Sequence, residues 1–332
     1  MKTRFSLLLL LIGIQTSGFG QALLPSFGSA RSGTSGFQFT KITVDARSAS
    51  LGNSSVADAF DASSLYWNPA LSVQIGGNQL MAGYTSYFAD INQGYLAYVQ
   101  QFKRYNIALG FSLQYLDSGE MNETTEFMPQ GTGRTFRTVH YAVGLTVAQK
   151  LTDLFSYGIT ARFLDERIEK ITMQTGTVDL GFFYKVGETG LRFAVGVNNF
   201  GFDASPSGET TRLALDTTIV HTEFETVSPP TNFMIGAAYD AWQNETMKLI
   251  ITTQLTKPSD NAERLALGAE LGFLNKVFFR TGYEFGIEEV SWPSFGLGLN
   301  TEWQGTALTA DLSYTFYERL GNLPRFALKF GF

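Results

Sequence analysis

The stretch RFALKFGF, residues 325–332, ends the chain and decides its fold class. In this stretch apolar Phe326, Leu328, Phe330 and Phe332 alternate with Arg325, Ala327, Lys329 and Gly331. Successive side chains of a β-strand point to opposite faces, so such a strand has one apolar face and one small or charged face. The stretch therefore predicts a strand that separates an apolar environment from a polar one.

The same period of two recurs from about residue 77 onward, for example in residues 105–115, 264–273 and 308–316. The apolar faces are often five or six residues long, which suits strands of roughly 9–11 residues that cross a bilayer at a tilt. The opposite faces carry Gly, Ser and few charges, whereas the exterior of a soluble β-sandwich is richer in Lys and Glu. An apolar exterior around a small and polar interior is typical of a transmembrane β-barrel.

The pattern predicts fourteen strands, joined alternately by short turns and by longer connections such as residues 118–134 and 200–230. The predicted strands lie near residues 77–86, 92–102, 105–117, 135–149, 154–166, 172–186, 190–199, 231–241, 246–256, 263–273, 276–286, 292–303, 306–317 and 323–332. Short periplasmic turns, longer outer loops and an even strand number are expected of outer-membrane barrels. The predicted fold class is all-β: a 14-stranded antiparallel transmembrane β-barrel with an N-terminal plug segment.

The first twenty residues have the pattern of a secretory signal peptide. Lys2 and Arg4 precede an apolar run over residues 5–14, and small residues follow before Gln21. The run is too short to span a bilayer. This pattern predicts export with cleavage of the signal peptide. The amphipathic last strand resembles the signal that barrel-insertion machinery reads, so the predicted destination is the bacterial outer membrane.

Composition argues against several classes of function. The chain has no cysteine, so neither disulfides nor thiolate metal sites are expected, and its net charge of −6 with scattered basic residues argues against nucleic-acid binding. Its only histidines, His140 and His221, have no nucleophile motif nearby, and neither a metal cluster nor a phosphate loop is present in the sequence. We therefore expect a protein that is not an enzyme and carries no cofactor or metal.

Residues 21–76 precede the first strand and are rich in Gly, Ser and Ala, with at most one short helix predicted, around residues 54–60. The lumen of a fourteen-stranded barrel is wider than side chains alone would fill. The sequence thus predicts three parts: a signal peptide (residues 1–20), an N-terminal plug or hatch (residues 21–76) and the barrel (residues 77–332).

The stretch DASSLYWNPALSV, residues 61–73, is unusual in this segment because a bulky pair, Tyr66 and Trp67, precedes Asn68 and Pro69. Pro69 interrupts any helix or central strand and predicts a rigid turn where the plug meets the first strand. The aromatic pair is interpreted first as plug packing, with ligand contact as the alternative. We expect Arg47 of the plug to pair with acidic side chains of the lumen.

The longest predicted loop, residues 200–230, is the candidate site for a protein partner. Loops of this length are usually functional or disordered. Part of the loop alternates and predicts a hairpin, so a partner would bind by edge pairing or by apolar contact around Phe224 and Val227. An inert polar loop is the alternative.

The sequence resembles the PorV/PorQ family of Bacteroidota outer-membrane barrels. The resemblance rests on GFQFTKITVDARSASLGNSSVADAFDASSLYWNPALS at residues 36–72, on NNFG at 198–201, PPTNFMIGAAY at 229–239 and KPSDNAERLALGAELGFLN at 257–275, and on RLGNLPRFALKFGF at 319–332. It covers essentially the whole chain after the predicted signal peptide.

The resemblance implies a barrel similar to the FadL-type transporters and a role in the type IX secretion system. A PorV-like member would act as a shuttle for secreted cargo, and a PorQ-like member would anchor a cell-surface attachment partner. The implied partners are other outer-membrane secretion or attachment proteins, secreted cargo and the lipid bilayer. The alternative is a FadL-like transporter of small hydrophobic molecules, in which an apolar ligand would contact the plug.

Overall fold

A computed structural model describes residues 33–213, 218–303 and 305–332. The predicted signal peptide, residues 1–20, and the first part of the predicted plug, residues 21–32, lie outside the described residues. Two other features of the sequence are described only in part: the hairpin of the longest loop, interrupted at residues 214–217, and the turn at Gln304.

Fourteen strands form a closed barrel in which every strand pairs antiparallel with its neighbours. The barrel closes where the first of these strands, Gln79–Ser86, pairs with the last, Gly321–Gly331, with Gln79 opposite Gly331 and Thr85 opposite Arg325. The barrel strands are β1 (Gln79–Ser86), β2 (Asn92–Phe102), β3 (Ile107–Asp117), β6 (Thr138–Lys150), β7 (Phe155–Ile168), β8 (Ile171–Lys185), β9 (Leu191–Gly201), β12 (Asn232–Gln243), β13 (Met247–Pro258), β14 (Arg264–Phe273), β15 (Val277–Phe285), β16 (Ser294–Trp303), β17 (Thr306–Tyr317) and β18 (Gly321–Gly331).

Two small hairpins stand apart from the barrel. They are β4 (Met121–Asn122) with β5 (Thr135–Phe136), and β10 (Thr210–Leu213) with β11 (Thr218–His221). The two strands of each hairpin pair with each other and with no strand of the barrel. The fourteen predicted barrel strands are confirmed, and the difference in position is largest at β6, predicted to begin near residue 135 and observed from Thr138.

The two ends of the barrel differ in the length of their connections. At one end, the short-turn end, residues 103–106, 151–154, 186–190, 244–246 and 274–276 join neighbouring strands. The other end, the long-loop end, carries the two longest connections, residues 118–137 and 202–231. β1 begins and β18 ends at the short-turn end, so the chain enters and leaves the barrel on the same side.

The two faces of the wall differ as the sequence predicts. In β18, Arg325, Ala327 and Lys329 are buried inside the barrel, whereas Phe326 faces outward with 44% of its surface exposed. Large apolar side chains are exposed in the same way on the other barrel strands. None of the helices in the described residues is long and apolar enough to cross a membrane.

Residues 33–76, called the N-terminal segment, lie inside the barrel, and from Phe37 to Leu71 most of their side chains are buried. The segment contains α-helices Ala46–Ser50 and Ser64–Trp67 and 3₁₀ helices Gln38–Lys41 and Pro69–Gln74; a further 3₁₀ helix, Lys103–Tyr105, joins β2 to β3.

The prediction of a helix around residues 54–60 is wrong, because none of these residues is helical and residues 56–58 form a turn. The first α-helix of the described residues, Ala46–Ser50, lies earlier, since the Asp45 carboxylate accepts a hydrogen bond from the Ser48 amide (2.8 Å) and caps it. After that helix, the Ser54 hydroxyl donates to the Leu51 carbonyl at 2.6 Å and stabilises a turn instead.

Inward-facing glycines let the N-terminal segment lie directly on the wall. A β-carbon added to Gly282 of β15 would stand 2.0 Å from the Leu51 carbonyl carbon and 2.3 Å from the Gly52 nitrogen, both backbone atoms. Added β-carbons would also meet atoms of the segment at less than 3 Å at Gly83, Gly110, Gly158, Gly181, Gly236, Gly268 and Gly296. The lumen is therefore shaped to the backbone of this segment, and not merely filled by its side chains.

We predict that Gly282→Ala destabilises the protein by about 1–3 kcal/mol, the usual range for overpacking, because neither the wall strand nor the Leu51 backbone can move aside independently. The measurement is the urea midpoint of unfolding, followed by the mobility shift of folded barrels on gels. Gly176→Ala in β8 is the matched control, since its added β-carbon meets no atom nearer than 3.9 Å. Equal midpoints for the two variants would contradict the close contact.

Candidate functional site

An alternating series of charged side chains joins the N-terminal segment to the wall near the short-turn end. Neighbours in the series lie within 3.0 Å of each other, and cations and anions are present in equal number. This ion chain runs Lys248–Asp240–Arg192–Asp58–Arg47–Glu270–Arg280–Asp311–Lys329–Asp61.

Arg47, a predicted site residue, occupies the centre of the ion chain. Its Nε donates to Glu270 Oε2 at 2.9 Å, and its Nη1 donates to the Asp58 carbonyl at 2.8 Å. Its Nη2 contacts Asp58 Oδ2 at 2.5 Å. Arg47 thus connects the N-terminal segment to strand β14 while it holds a turn of the segment itself.

Two further contacts carry the ion chain from the segment to other parts of the wall. Arg192 of β9 donates to Asp58 at 2.6 Å, and Lys329 of β18 lies 2.5 Å from Asp61. Because β9 and β18 lie on different sides of the closed sheet, the segment is held from more than one direction. Removing one member of a buried ion pair leaves an uncompensated charge, which usually costs about 3–5 kcal/mol.

A cavity of about 350 Å³ adjoins the ion chain near the short-turn end. Its lining includes chain members such as Arg47, Asp58 and Glu270 together with Gln79 and Asn275, the latter in the turn between β14 and β15. Eight members of the ion chain line it beside the apolar side chains of Phe60, Ile250 and Phe278, and these charges are engaged with one another. An apolar ligand in this cavity would therefore lie against paired charges.

The predicted aromatic turn is buried between the ion chain and the long-loop end. The Tyr66 and Trp67 rings pack edge to face with centroids 5.1 Å apart, and the Trp67 indole nitrogen donates to Asp45 at 3.0 Å. The Arg162 guanidinium lies over the Tyr66 ring at 5.9 Å. Both aromatic side chains are less than 9% exposed, and each has partners within the protein.

Asn68 and Pro69 fix the backbone of this turn against the wall. The Asn68 amide donates to the Val56 carbonyl at 3.0 Å and to the Phe182 carbonyl of β8 at 3.2 Å, and its oxygen accepts from the Ala70 amide. Pro69 occupies the first position of the 3₁₀ helix, where its missing N–H costs nothing. The turn therefore ends one helix and begins the next without any unpaired amide on Asn68.

A small cavity of about 40 Å³ adjoins Tyr66 and Trp67, lined in part by Asn198, Asn199 and Asn232. The Asn198 amide donates to the Tyr66 carbonyl at 2.7 Å. A space of this size holds a water molecule, whereas ligand pockets usually measure about 300–1,000 Å³. NNFG at residues 198–201 contributes to the family resemblance, but no local pattern in the sequence indicates this role of Asn198.

A second set of contacts holds the N-terminal segment near the long-loop end. Lys41 lies 2.9 Å from Asp260 in the loop between β13 and β14, and the Gln38 amide donates to the same carboxylate at 2.7 Å. Although burial alone would raise it, the hydrogen bonds from Gln38 and Lys41 hold the pKa of Asp260 below its usual value. Asp260 is therefore ionised at neutral pH. Nothing local in the sequence indicated this contact.

The predicted loop residues differ in their surroundings. Val227 pairs with Ala204 through backbone hydrogen bonds of 2.8 and 2.9 Å, and it packs against the cluster that contains Phe37 and Phe39. The neighbouring Ser228 carbonyl accepts from the Gly36 amide at 3.1 Å. Phe224 is half-buried. The base of the longest loop thus rests on the N-terminal segment.

The described residues contain no group of three or more His, Cys, Asp or Glu side chains placed to hold a metal ion. His140 is buried in β6 and stacks on Phe39 of the N-terminal segment, with ring centroids 5.5 Å apart. The side chain of His221 lies outside the described residues.

Three solved structures share this fold. The Pseudomonas putida toluene transporter TodX has a TM-score of 0.60 at 11% identity, over 86% of this chain and 97% of that chain. The CymD monoaromatic hydrocarbon channel has a TM-score of 0.58 at 13% identity, over 86% and 96%. A Pseudomonas aeruginosa FadL homologue has a TM-score of 0.53 at 13% identity, over 87% and 98%. At such identities the similarity shows the fold alone.

Comparison with protein families by sequence identifies the family of this chain. No curated protein sequence matches the chain significantly. Residues 28–259 match the family described as Type IX secretion system protein PorV. Because this match spans more than half of the chain, the protein belongs to the PorV family.

Proposed function

We propose that this protein is an outer-membrane barrel that acts in type IX secretion without enzymatic activity, by binding a protein partner at its long-loop end. The partner is secreted cargo or a cell-surface attachment protein. The family match over residues 28–259 is the observation that carries this proposal. The belt of exposed apolar side chains around the barrel supports a location in the membrane.

Within this proposal the chain has the three predicted parts: a cleaved signal peptide at residues 1–20, a plug at residues 21–76 and the barrel at residues 77–332. The ion chain supports the plug role, because it holds Arg47, Asp58 and Asp61 of the segment to the wall. The wall glycines support it as well, since they leave no space between Leu51 and β15.

The proposed partner surface lies at the long-loop end, where the β10–β11 hairpin pairs with no strand of the barrel. Phe202, at the start of the same loop, is 81% exposed, and Phe224 is half-buried. A hairpin with unpaired edges and nearby apolar side chains can bind another chain by strand addition or by apolar contact. The base of the loop supports the hairpin through the Val227–Ala204 pairing.

Transport of small hydrophobic molecules is the second candidate, favoured by the fold that the chain shares with hydrocarbon channels. Three features of the lumen argue against it. The aromatic turn adjoins a cavity of only about 40 Å³, eight paired charged residues stand in the mixed lining of the larger cavity of about 350 Å³, and the plug backbone touches the wall. An apolar ligand would have to displace paired charges to pass.

We predict that Arg47→Leu lowers the free energy of unfolding by about 3 kcal/mol and releases the plug, because Asp58 and Glu270 lose their shared partner. In planar bilayers the wild-type protein should show no lasting open-pore current, and the variant should show one. Arg104→Leu in the exposed β2–β3 connection is the control and should match the wild type. Unchanged current and unchanged stability in Arg47→Leu would refute the plug role.

We also predict that the tagged protein, extracted from outer membranes with mild detergent, brings secretion or attachment proteins or cargo with it, as mass spectrometry would identify. Replacing residues 209–222 by a Gly-Ser linker should abolish this recovery, because the hairpin is removed while the barrel ladders stay intact. The same linker inserted at residues 186–190, at the opposite end, is the control and should leave recovery unchanged.

Recovery of cargo would identify a shuttle, and recovery of a surface protein would identify an anchor. A barrel that emerges alone with a bound apolar molecule would contradict the secretion role and support the transporter.

A further inference from the structure

A groove of about 490 Å³ opens on the outward face of the barrel over strands β13–β17. Its sides are large apolar side chains, which are Phe279, Phe295, Leu297, Leu312 and Tyr314. Between them lie two short side chains, Ala269 and Thr281, directly opposite each other in the β14–β15 ladder. Short side chains flanked by long ones form a depression, which we call the wall groove.

The wall groove begins at the middle of β15, where Thr281 is the fifth of nine residues. Phe295 lies directly opposite Thr281 in the β15–β16 ladder. Phe279, Leu297 and Leu312 form the next outward-facing row, one step towards the short-turn end. The groove therefore extends from the middle of β15 towards the short-turn end.

The lining excludes a charged occupant. Arg280 is its only charged residue, and this side chain is buried, with its Nε on Glu270 and its Nη1 on Asp311. The outward-facing side chains are otherwise aliphatic or aromatic, apart from the hydroxyls of Thr281 and Tyr314. An occupant must therefore be apolar, elongated and of a size that about 490 Å³ can admit, a volume within the range of ligand pockets.

We propose that the wall groove holds one acyl chain of a bilayer phospholipid. The proposal rests on the membrane location given under the proposed function. In a bilayer no hydrophobic gain drives the contact, because lipid tails are as apolar as leucine, so close packing decides. An acyl chain in the groove touches protein on its flanks and beneath it, whereas a chain on a flat wall touches protein on one side only.

Lipopolysaccharide fits the wall groove less well. The groove extends from the middle of β15 towards the short-turn end. Short turns of outer-membrane barrels face the periplasm, so the groove lies on the side of the inner leaflet. Phospholipids occupy that leaflet, whereas lipopolysaccharide occupies the outer one.

The test is native mass spectrometry of protein extracted from outer membranes, which counts the phospholipids that remain on each barrel. The wild-type protein should retain a single phospholipid. Thr281→Phe fills the groove and should lower the retained fraction several-fold. Thr253→Phe is the matched control, because Thr253 faces outward on β13 but does not line the groove, and it should retain lipid as the wild type does.

Equal retention by Thr281→Phe and Thr253→Phe would overturn the proposal, and so would retained lipopolysaccharide or detergent in place of phospholipid. Should Thr281→Phe fail to fold, as judged by gel mobility, Ala269→Leu fills the same depression with a smaller change. Membrane fractionation separates this test from the proposed function. A soluble wild-type protein would contradict the membrane location itself, whereas a membrane-bound protein without retained phospholipid would contradict only the groove.

Discussion

Charges inside the barrel must be paired, and most of the lumen is arranged to meet that requirement. A lone guanidinium or carboxylate in a poorly hydrated interior costs several kcal/mol, and only good geometry with an opposite charge offsets this. The ion chain meets the requirement with equal numbers of cations and anions, and wall residues contact the N-terminal segment at Arg47, Asp58 and Asp61. The segment therefore supplies ion-pair partners for charged residues of the wall. Either part without the other would have unpaired charges in the barrel interior.

Shape complements charge. The glycines of the wall let the segment's backbone approach to a distance that no other residue would permit, and the Asn68–Pro69 turn fits against β8 by hydrogen bonding to the Phe182 carbonyl. The Lys41–Asp260 contact then fixes the other end of the segment at the long-loop end. Contacts at both ends and close packing between them explain why the cavities beside the proposed plug are small or lined in part by paired charges. This is the main argument for a binding role over a transport role.

Much of the barrel could be predicted from the sequence because its strands alternate with a period of two, and this pattern depends only on local residues. The RFALKFGF stretch is an example, with Arg325 and Lys329 turned inward as expected. The partners of Arg47 could not be predicted, since Glu270 and Asp58 are brought to it by folding and not by proximity in sequence. The helix expected near residues 54–60 failed for a similar reason, because distant wall residues hold this stretch: Gln254 accepts from the Val56 amide at 2.9 Å, and Arg192 contacts Asp58 at 2.6 Å.

The central claim is that residues 43–73 form a fixed part of the barrel interior. Hydrogen–deuterium exchange of the purified protein tests it most directly, since exchange reports how often each amide opens to solvent. We predict that peptides from residues 43–73 exchange as slowly as peptides from strands β7 and β8, and far more slowly than those from the loop at residues 202–231. Exchange of residues 43–73 at the rate of that loop would contradict the account.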